Sequence, residues 1–220
     1  MKSIFQKKTY SEQVAEYIRR QILNGRFEPG TPVKELVVAE ELGISRAPVR
    51  EAMQTLVREG LIDAAPQKRK VVRSMTALQI RNSYFAGGVL EAAAVAQVID
   101  SFTEEDLAAL QDVIDSMKFI AETSGNVSEM APLDTAFHDI LFSRVENELL
   151  IDICKKFCQG ISKYLLFKHW IKLFPAEKVY LRHKIVLDAV RRGDPAEVEL
   201  VIRQHYEESG KKMARFGSDR

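Results

Sequence analysis

Length, composition and charge limit the classes of protein to which this chain can belong. The 220 residues carry 32 Lys and Arg against 31 Asp and Glu, a net charge of +1. The first 75 residues hold 14 basic and 9 acidic side chains, whereas the rest hold 18 and 22. A basic first part suits a polyanion, and an acidic second part suits a cation or a protein partner. No apolar run reaches the roughly 20 residues of a membrane span, so we expect a soluble, cytoplasmic protein with no membrane partner.

The chain opens with a predicted helix over residues 11–24. Val14, Ile18 and Ile22 are apolar at helical spacing, and Gly25 follows as the end of the helix. Residues of turn-forming type then connect this helix to a second, shorter helical segment. The arrangement predicts a helix and a turn that lead to the next motif.

Residues 34–60, KELVVAEELGISRAPVREAMQTLVREG, have the pattern of two helices joined by a tight turn. Ala39 is small enough for a second helix to cross it, and Gly43 suits a turn with positive φ. Val49 is apolar where the second helix packs back. The spacing predicts a helix-turn-helix.

The start of the second helix carries the side chains that we expect to contact DNA. Ser45 is placed to cap this helix through its hydroxyl, and Pro48 is tolerated in the first turn. Arg46, Ala47 and Arg50 follow on the same exposed turn. Such residues face base edges, and arginine binds guanine O6 and N7 with two hydrogen bonds. The pattern favours double-stranded DNA as a partner, and an ordinary helical hairpin with a basic face is the alternative.

Two short β-prone runs, residues 61–64 and 71–73, flank a basic tip. Their spacing after the second helix predicts a wing, and therefore a winged helix-turn-helix. Lys68, Arg69 and Lys70 are cationic where a wing meets DNA phosphates. We expect them to add affinity rather than sequence choice.

The sequence beyond Ser74 consists of long helical segments, about six in number, with no low-complexity linker before them. We therefore predict a mainly α protein of two domains, a winged helix-turn-helix over residues 1–74 and an all-α helical bundle over residues 75–220. Gly193, Asp194 and Pro195 form a stop and restart signal. They predict an antiparallel pair of helices on either side.

Three of the four histidines can come together in this second domain. His183 lies ten residues before Gly193 and His205 lies eleven after Asp194, so both stand roughly 15 Å from the turn. Asp134 and His138 share one face of another helix. One carboxylate and three imidazoles suit a divalent transition metal, Zn²⁺, Ni²⁺, Fe²⁺ or Mn²⁺, with positions left for water or an anion. Spacing alone leaves open that these are unrelated core or surface residues.

Residues 9–73 resemble the DNA-binding domain of the GntR family of bacterial transcription regulators. The resemblance is carried by GISRAPVREA at residues 43–52, followed by Leu56 and by Glu-Gly-Leu at residues 59–61. It implies a winged helix-turn-helix whose recognition helix contacts bases in each half-site of an operator.

The same resemblance assigns the individual DNA contacts. Many relatives have an arginine in the helix before the turn, where this chain has Leu36 or Val37. Lys34 is then expected to supply the phosphate contact. The recognition-helix residues so assigned are Ser45, Arg46, Ala47, Pro48 and Arg50.

Residues 76–217 resemble the all-helical effector domain, the FCD domain, of the FadR-like branch of that family. An Asp-x3-His pair and two later histidines form its metal site, matched here by Asp134, His138, His183 and His205. Asn147 matches a further position and is assigned to effector binding. The resemblance implies a bound metal, with zinc preferred to nickel, iron or manganese, and a small organic acid as effector.

These features predict a ligand-responsive transcription regulator that is not an enzyme. One recognition helix covers only a few base pairs, so we expect a homodimer on a pseudo-palindromic operator. Two alternatives remain from the residues themselves. The metal could activate water in a metalloenzyme, or the helical domain could be a dimerisation module without metal.

Overall fold

A computed structural model describes residues 8–64, 69–155 and 162–219. The helices of these ranges are α1 (Tyr10–Leu23), α2 (Glu35–Leu42), α3 (Arg46–Arg58), α4 (Ala77–Gln97), α5 (Glu104–Glu122), α6 (Val127–Leu141), α7 (Glu148–Cys154), α8 (Ser162–Leu173), α9 (Ala176–Arg192) and α10 (Pro195–Met213). The strands are β1 (Ile62–Asp63) and β2 (Val71–Val72). Short 3₁₀ turns follow α4 and α10. The predicted mainly α class is confirmed.

Contacts divide the chain into two compact units. The first contains Met1–Ser74 and Lys163–Lys168, and the second contains Met75–Ser162 and His169–Arg220. The sequence had suggested a division after Ser74 but not the grouping of Lys163–Lys168 with the first unit. The assignment of DNA binding to residues 1–74 and of effector binding to residues 75–220 stays a prediction.

The first unit is a winged helix-turn-helix. Its core lies between α1 and α3, where Ile18, Val49 and Leu56 are fully buried. Gly43 ends α2 with φ 63°, the left-handed turn conformation that its sequence position predicted. β1 and β2 pair antiparallel, with Ile62 opposite Val72, and they form the base of the wing.

Seven helices, α4 to α10, follow Met75 in the described ranges, where the sequence suggested about six, and part of α8 groups with the first unit. The hairpin of α9 and α10 forms as predicted, because Asp194 caps α10 by accepting a hydrogen bond from the amide of Ala196 at 2.9 Å. None of the described helices has the length and apolar character that crossing a bilayer requires.

The helices α4 and α10 approach closely at two reciprocal contacts. A Cβ atom added to Gly88 would lie 2.7 Å from the Cβ of Tyr206, and one added to Gly210 would lie 2.7 Å from the Cβ of Tyr84. Each glycine therefore makes room for a tyrosine of the other helix. This contact explains a glycine inside α4, where it lowers helix propensity.

We expect Gly88→Val to destabilise the protein by about 1–3 kcal/mol, because the added carbons overlap Tyr206 in a packed interface. Urea unfolding at neutral pH measures the loss. Ala93→Val adds volume at an exposed position of the same helix, so it should change stability by less than about 0.5 kcal/mol. Equal stability of the two variants would contradict the close contact.

Candidate functional site

Six of the residues predicted to contact DNA lie around the starts of α2 and α3. Lys34 is exposed at the start of α2, and Ser45, Arg46, Ala47 and Arg50 are exposed around the start of α3. Pro48 is half-buried on the same turn. The exposed apolar residues Leu36 and Val37 lie on the neighbouring turn of α2.

The expected cap of α3 by the Ser45 hydroxyl is wrong. Ser45 has the extended backbone of an N-cap residue, but its side chain makes no capping hydrogen bond. A capping oxygen accepts from the second or third amide of its helix. The third residue of α3 is Pro48, which has no N–H to donate. The proline that is tolerated at this position thus removes one of the amides that the serine would accept from.

The basic residues predicted at the wing tip differ in their surroundings. Lys68 lies outside the described residues. Arg69 is exposed, as expected for a phosphate contact. Lys70 is not a freely exposed cation, because its Nζ lies 2.8 Å from Oε1 of Glu35 and its side chain is half-buried. The wing is thereby linked to α2.

Glu35 is a residue that the sequence reasoning missed. Its Oε2 lies 3.4 Å from Nη2 of Arg46 and 3.5 Å from Nε of Arg50. One carboxylate thus faces both recognition-helix arginines as well as Lys70. An acidic residue in the first turn of a helix is ordinary on electrostatic grounds, so the sequence offered no reason to single it out.

Three histidines of the second unit converge as the sequence predicted. Ring centroids lie 5.6 Å apart for His138 and His183, 5.6 Å for His138 and His205, and 4.9 Å for His183 and His205. One ligand nitrogen from each ring lies within 4.8 Å of the others. The helices α6, α9 and α10 therefore present one group of imidazoles.

Asp134 completes the group through His183. Nδ1 of His183 lies 2.8 Å from the carbonyl oxygen of Val179, and a carbonyl only accepts, so Nδ1 carries the proton. Nε2 is then an acceptor in the neutral ring. It lies 3.2 Å from Oδ1 of Asp134 and has no hydrogen-bond partner although it is buried. Either a proton or a metal ion between two such acceptors would satisfy both.

His138 is held by a buried carboxylate on α4. Its Nδ1 lies 2.6 Å from Oε1 of Glu91, and the hydroxyl of Tyr206 donates to Oε2 of Glu91 at 2.6 Å. Burial by itself lowers the pKa of His138, but the Glu91 carboxylate, helped by Asp134, outweighs burial and raises the pKa to about 9. With Nδ1–H donating to Glu91, Nε2 of His138 would be the nitrogen left to hold a metal ion.

His205, unlike His138, is kept neutral by its surroundings. Burial lowers the pKa of His205 well below its usual value, and the cation of Arg182 lowers it further. The Arg182 guanidinium donates hydrogen bonds to the His205 carbonyl oxygen and to Oγ of Ser209. Nδ1 of His205 is buried without a hydrogen-bond partner. A neutral imidazole is the form that a metal binds.

The donor set fits a divalent metal ion. Two ligand atoms of one tetrahedral zinc ion lie about 3.3 Å apart, given metal–ligand distances of about 2.0–2.1 Å. The Asp134 to His183 separation of 3.2 Å matches that spacing. Phe137 packs edge-on against His138 and His183 and gives the group an apolar wall. Asp134, His138, His183 and His205 are the residues that would hold the ion.

Asn147 has a structural part in this unit. Its Oδ1 accepts a hydrogen bond from the amide of Leu150 at 3.0 Å and so caps α7, and its side chain is exposed. Its assignment to effector binding stays a prediction. The sequence did not reveal that Glu91 and Tyr206 hold His138 in place. The only sign of this role was a glutamate within an apolar helical stretch.

Comparisons with known proteins agree with this organisation. Residues 10–72 match the pattern of "Bacterial regulatory proteins, gntR family", and residues 83–208 match the FCD domain. The chain is 27% identical over 200 residues to the HTH-type transcriptional repressor RspR of Escherichia coli K12, covering 90% of this chain and 86% of that one. It is 31% identical over 147 residues to the Nta operon transcriptional regulator of Aminobacter aminovorans, covering 66% of each chain.

A solved structure shares the fold. The Escherichia coli protein McbR/YncC superimposes with a TM-score of 0.76 at 19% identity, covering 95% of this chain and 99% of that chain. Proteins of the family regulate transcription rather than catalyse reactions, and FCD domains bind small-molecule effectors and often a metal. The chain belongs to the gntR family of bacterial regulatory proteins, as a DNA-binding transcriptional regulator with a C-terminal FCD domain.

Proposed function

We propose that the protein is a homodimeric repressor or activator that binds a pseudo-palindromic operator and responds to a small carboxylate held at a metal ion. The observation that carries the sensing part is the buried Nε2 of His183, which faces the Asp134 carboxylate without a hydrogen bond. A regulator of transcription works where the chromosome is, so the proposed location is the cytoplasm.

The proposed DNA contacts belong to residues 1–74. Arg46 and Arg50 would bind guanines in the major groove, because their side chains are 56% and 59% exposed at the start of the recognition helix. Ser45, Ala47 and Pro48 would lie against the groove. Lys34 and Arg69 are the exposed cations that would contact phosphates.

The metal that the site suits best is zinc. Imidazoles and carboxylates are common zinc ligands, and the separation of Asp134 and His183 fits tetrahedral spacing. Nickel, iron and manganese accept the same ligands in six-coordinate geometry, with positions left for further donors. The choice among them depends on coordination number.

A carboxylate effector follows from charge. A divalent ion held by three neutral histidines and one aspartate keeps one positive charge, and such a centre attracts an organic acid. The effector would act by linkage, because a ligand that binds one arrangement of the protein more tightly shifts the population toward it. In this proposal, residues 75–220 carry both effector binding and dimerisation.

The proposed pairing surface lies on α4 and α7. These helices pack against each other and leave apolar side chains exposed, with Leu78 and Phe85 on α4 and Leu149 and Ile153 on α7. Exposed apolar side chains on two neighbouring helices are candidates for a contact surface. A second copy is the occupant that a two-fold operator requires.

We expect His183→Ala to lower the metal content of the protein to a small fraction of that of the wild type. The change removes one imidazole and leaves the Asp134 carboxylate without its neighbouring ligand. Plasma mass spectrometry on protein purified without a polyhistidine tag measures the metal. His169→Ala is the matched control, because His169 stacks on Phe216 and is not part of the histidine group found among the described residues.

The same pair of variants tests the effector. A panel of organic acids should raise the thermal midpoint of the wild type and of His169→Ala but not of His183→Ala. Wild-type protein that stays free of metal after reconstitution with Zn²⁺ or Ni²⁺ would exclude the metal and leave only the dimerisation part.

We expect Arg46→Ala and Arg50→Ala to lose sequence preference, at a cost of about 1–3 kcal/mol for each lost guanine contact. The probe is a duplex enriched by the wild-type protein from a random-sequence library, titrated beside random duplex. Arg58→Ala removes the same charge from the other end of α3 and should keep the preference. Arginine variants that retain the full preference would disprove the proposed contacts.

We expect Phe85→Glu to dissociate the dimer, because an interface phenylalanine contributes about 1.5–3 kcal/mol when buried and a charge there opposes association. Light scattering after gel filtration at micromolar concentration measures the mass. Leu200→Glu changes an exposed leucine of α10 and should leave a dimer. If Leu200→Glu dissociates the protein and Phe85→Glu does not, the pairing surface lies elsewhere.

A further inference from the structure

We propose that Glu35 is the positioning residue that sets how strongly the protein prefers its operator over other DNA. The inference rests on the proposed base contacts of Arg46 and Arg50. Glu35 would not touch a base itself. It would act through the two arginines that it faces and through Lys70.

The Glu35 side chain is largely enclosed, whereas the side chains of Arg46 and Arg50 are more than half exposed. The Glu35 side chain is only 17% exposed, so it has few alternative conformations. Its Oε2 lies 3.4 Å from one nitrogen of Arg46 and 3.5 Å from one nitrogen of Arg50. Each guanidinium is more than half exposed and carries five N–H donors, so donors remain for a guanine after the contact with Glu35.

Lys70 fixes the carboxylate on its other side. Nζ of Lys70 lies 2.8 Å from Oε1 of Glu35, and the carbonyl oxygen of Lys70 accepts a hydrogen bond from the amide of Val33 at 2.9 Å. The hydrogen bond from Lys70, together with the two arginines, lowers the pKa of Glu35. The carboxylate is therefore charged at neutral pH and joins α2, the recognition helix and the wing.

Two physical effects of this carboxylate favour the operator over other DNA. An arginine that is already oriented loses less side-chain entropy when it binds a guanine, which strengthens the correct contact. The negative charge also repels phosphates. A contact between either arginine and the DNA backbone, which occurs at any sequence, therefore contributes less binding free energy. Specificity is the difference between these two affinities, and Glu35 acts on both in the same direction.

The test compares Glu35→Gln with Glu40→Gln in the full-length protein. Glu40 is an exposed residue of the same helix, so both variants remove one negative charge near the recognition helix. The probes are a duplex enriched by the wild-type protein from a random-sequence library and a random duplex of equal length. Fluorescence anisotropy at several salt concentrations measures both affinities.

Both variants should bind random duplex more tightly than the wild type. Only Glu35→Gln should lose preference, with the ratio of enriched to random affinity falling about tenfold, the scale of one guanine contact. Glu35→Asp keeps the charge but shortens the side chain by one carbon, and its ratio should lie between those of the wild type and Glu35→Gln.

Three results would overturn the proposal. The first is an unchanged affinity ratio in Glu35→Gln. The second is a parallel loss of both affinities in Glu35→Gln and Glu35→Asp together with a lower thermal midpoint, which is what a purely structural role predicts. The third is a wild-type protein that enriches no sequence, which would overturn the proposed operator binding along with the part given to Glu35. If the wild type enriches a sequence and Glu35→Gln keeps the same affinity ratio, only the proposed role of Glu35 is overturned.

Discussion

The buried carboxylate of Glu91 is the constraint on which the second unit depends. A carboxylate removed from water costs several kcal/mol unless both of its oxygens are satisfied. Here the side chain is 0% exposed, and its oxygens are taken by His138 of α6 and Tyr206 of α10. Three helices distant in sequence must therefore meet at one point. The contact with Glu91 also orients the His138 ring. One set of contacts therefore satisfies the buried carboxylate and positions a residue of the ligand group.

The two units use charge in different ways. In the first unit the ion pairs of Arg46 and Arg50 with Glu35 are longer than 3 Å and half-exposed on the arginine side, so dissolved salt screens them. In the second unit the charged and polar groups around His138 are buried, and dissolved salt screens them little. Salt should therefore act strongly on the affinity for DNA and weakly on the ligand group.

Local sequence predicted much of this structure, because the deciding interactions span a few residues. Gly43 has the turn conformation that its position required, and Asp194 caps α10. His183 and His205 lie side by side because each is ten or eleven residues from the turn between α9 and α10. The Glu91 to Tyr206 bond joins residues 115 positions apart, and no local pattern links two such residues. Long-range polar pairing is therefore where the sequence reasoning ended.

Neighbours of two residues in the first unit were missed as well. Ser45 is the right residue type for a cap, yet Pro48 supplies no amide at the third helical position. Lys70 has the charge of a phosphate contact, yet Glu35 of α2 pairs with it. Ser45 and Lys70 were each interpreted by residue type alone, without the neighbours that they meet in the fold. The phosphate contact of Lys70 stays a prediction.

The tyrosine and glycine contacts between α4 and α10 also determine the register of these two helices. Tyr84 lies against Gly210 and Gly88 lies against Tyr206, so large and small residues alternate in opposite order along the two helices. A slip of one helical turn in one direction would bring two tyrosines together, and a slip in the other would leave two glycines facing a void. Close-packed interiors tolerate neither overlap nor emptiness of that size. The helices therefore have one permitted alignment, and the position of Tyr206 relative to Glu91 is inherited from it.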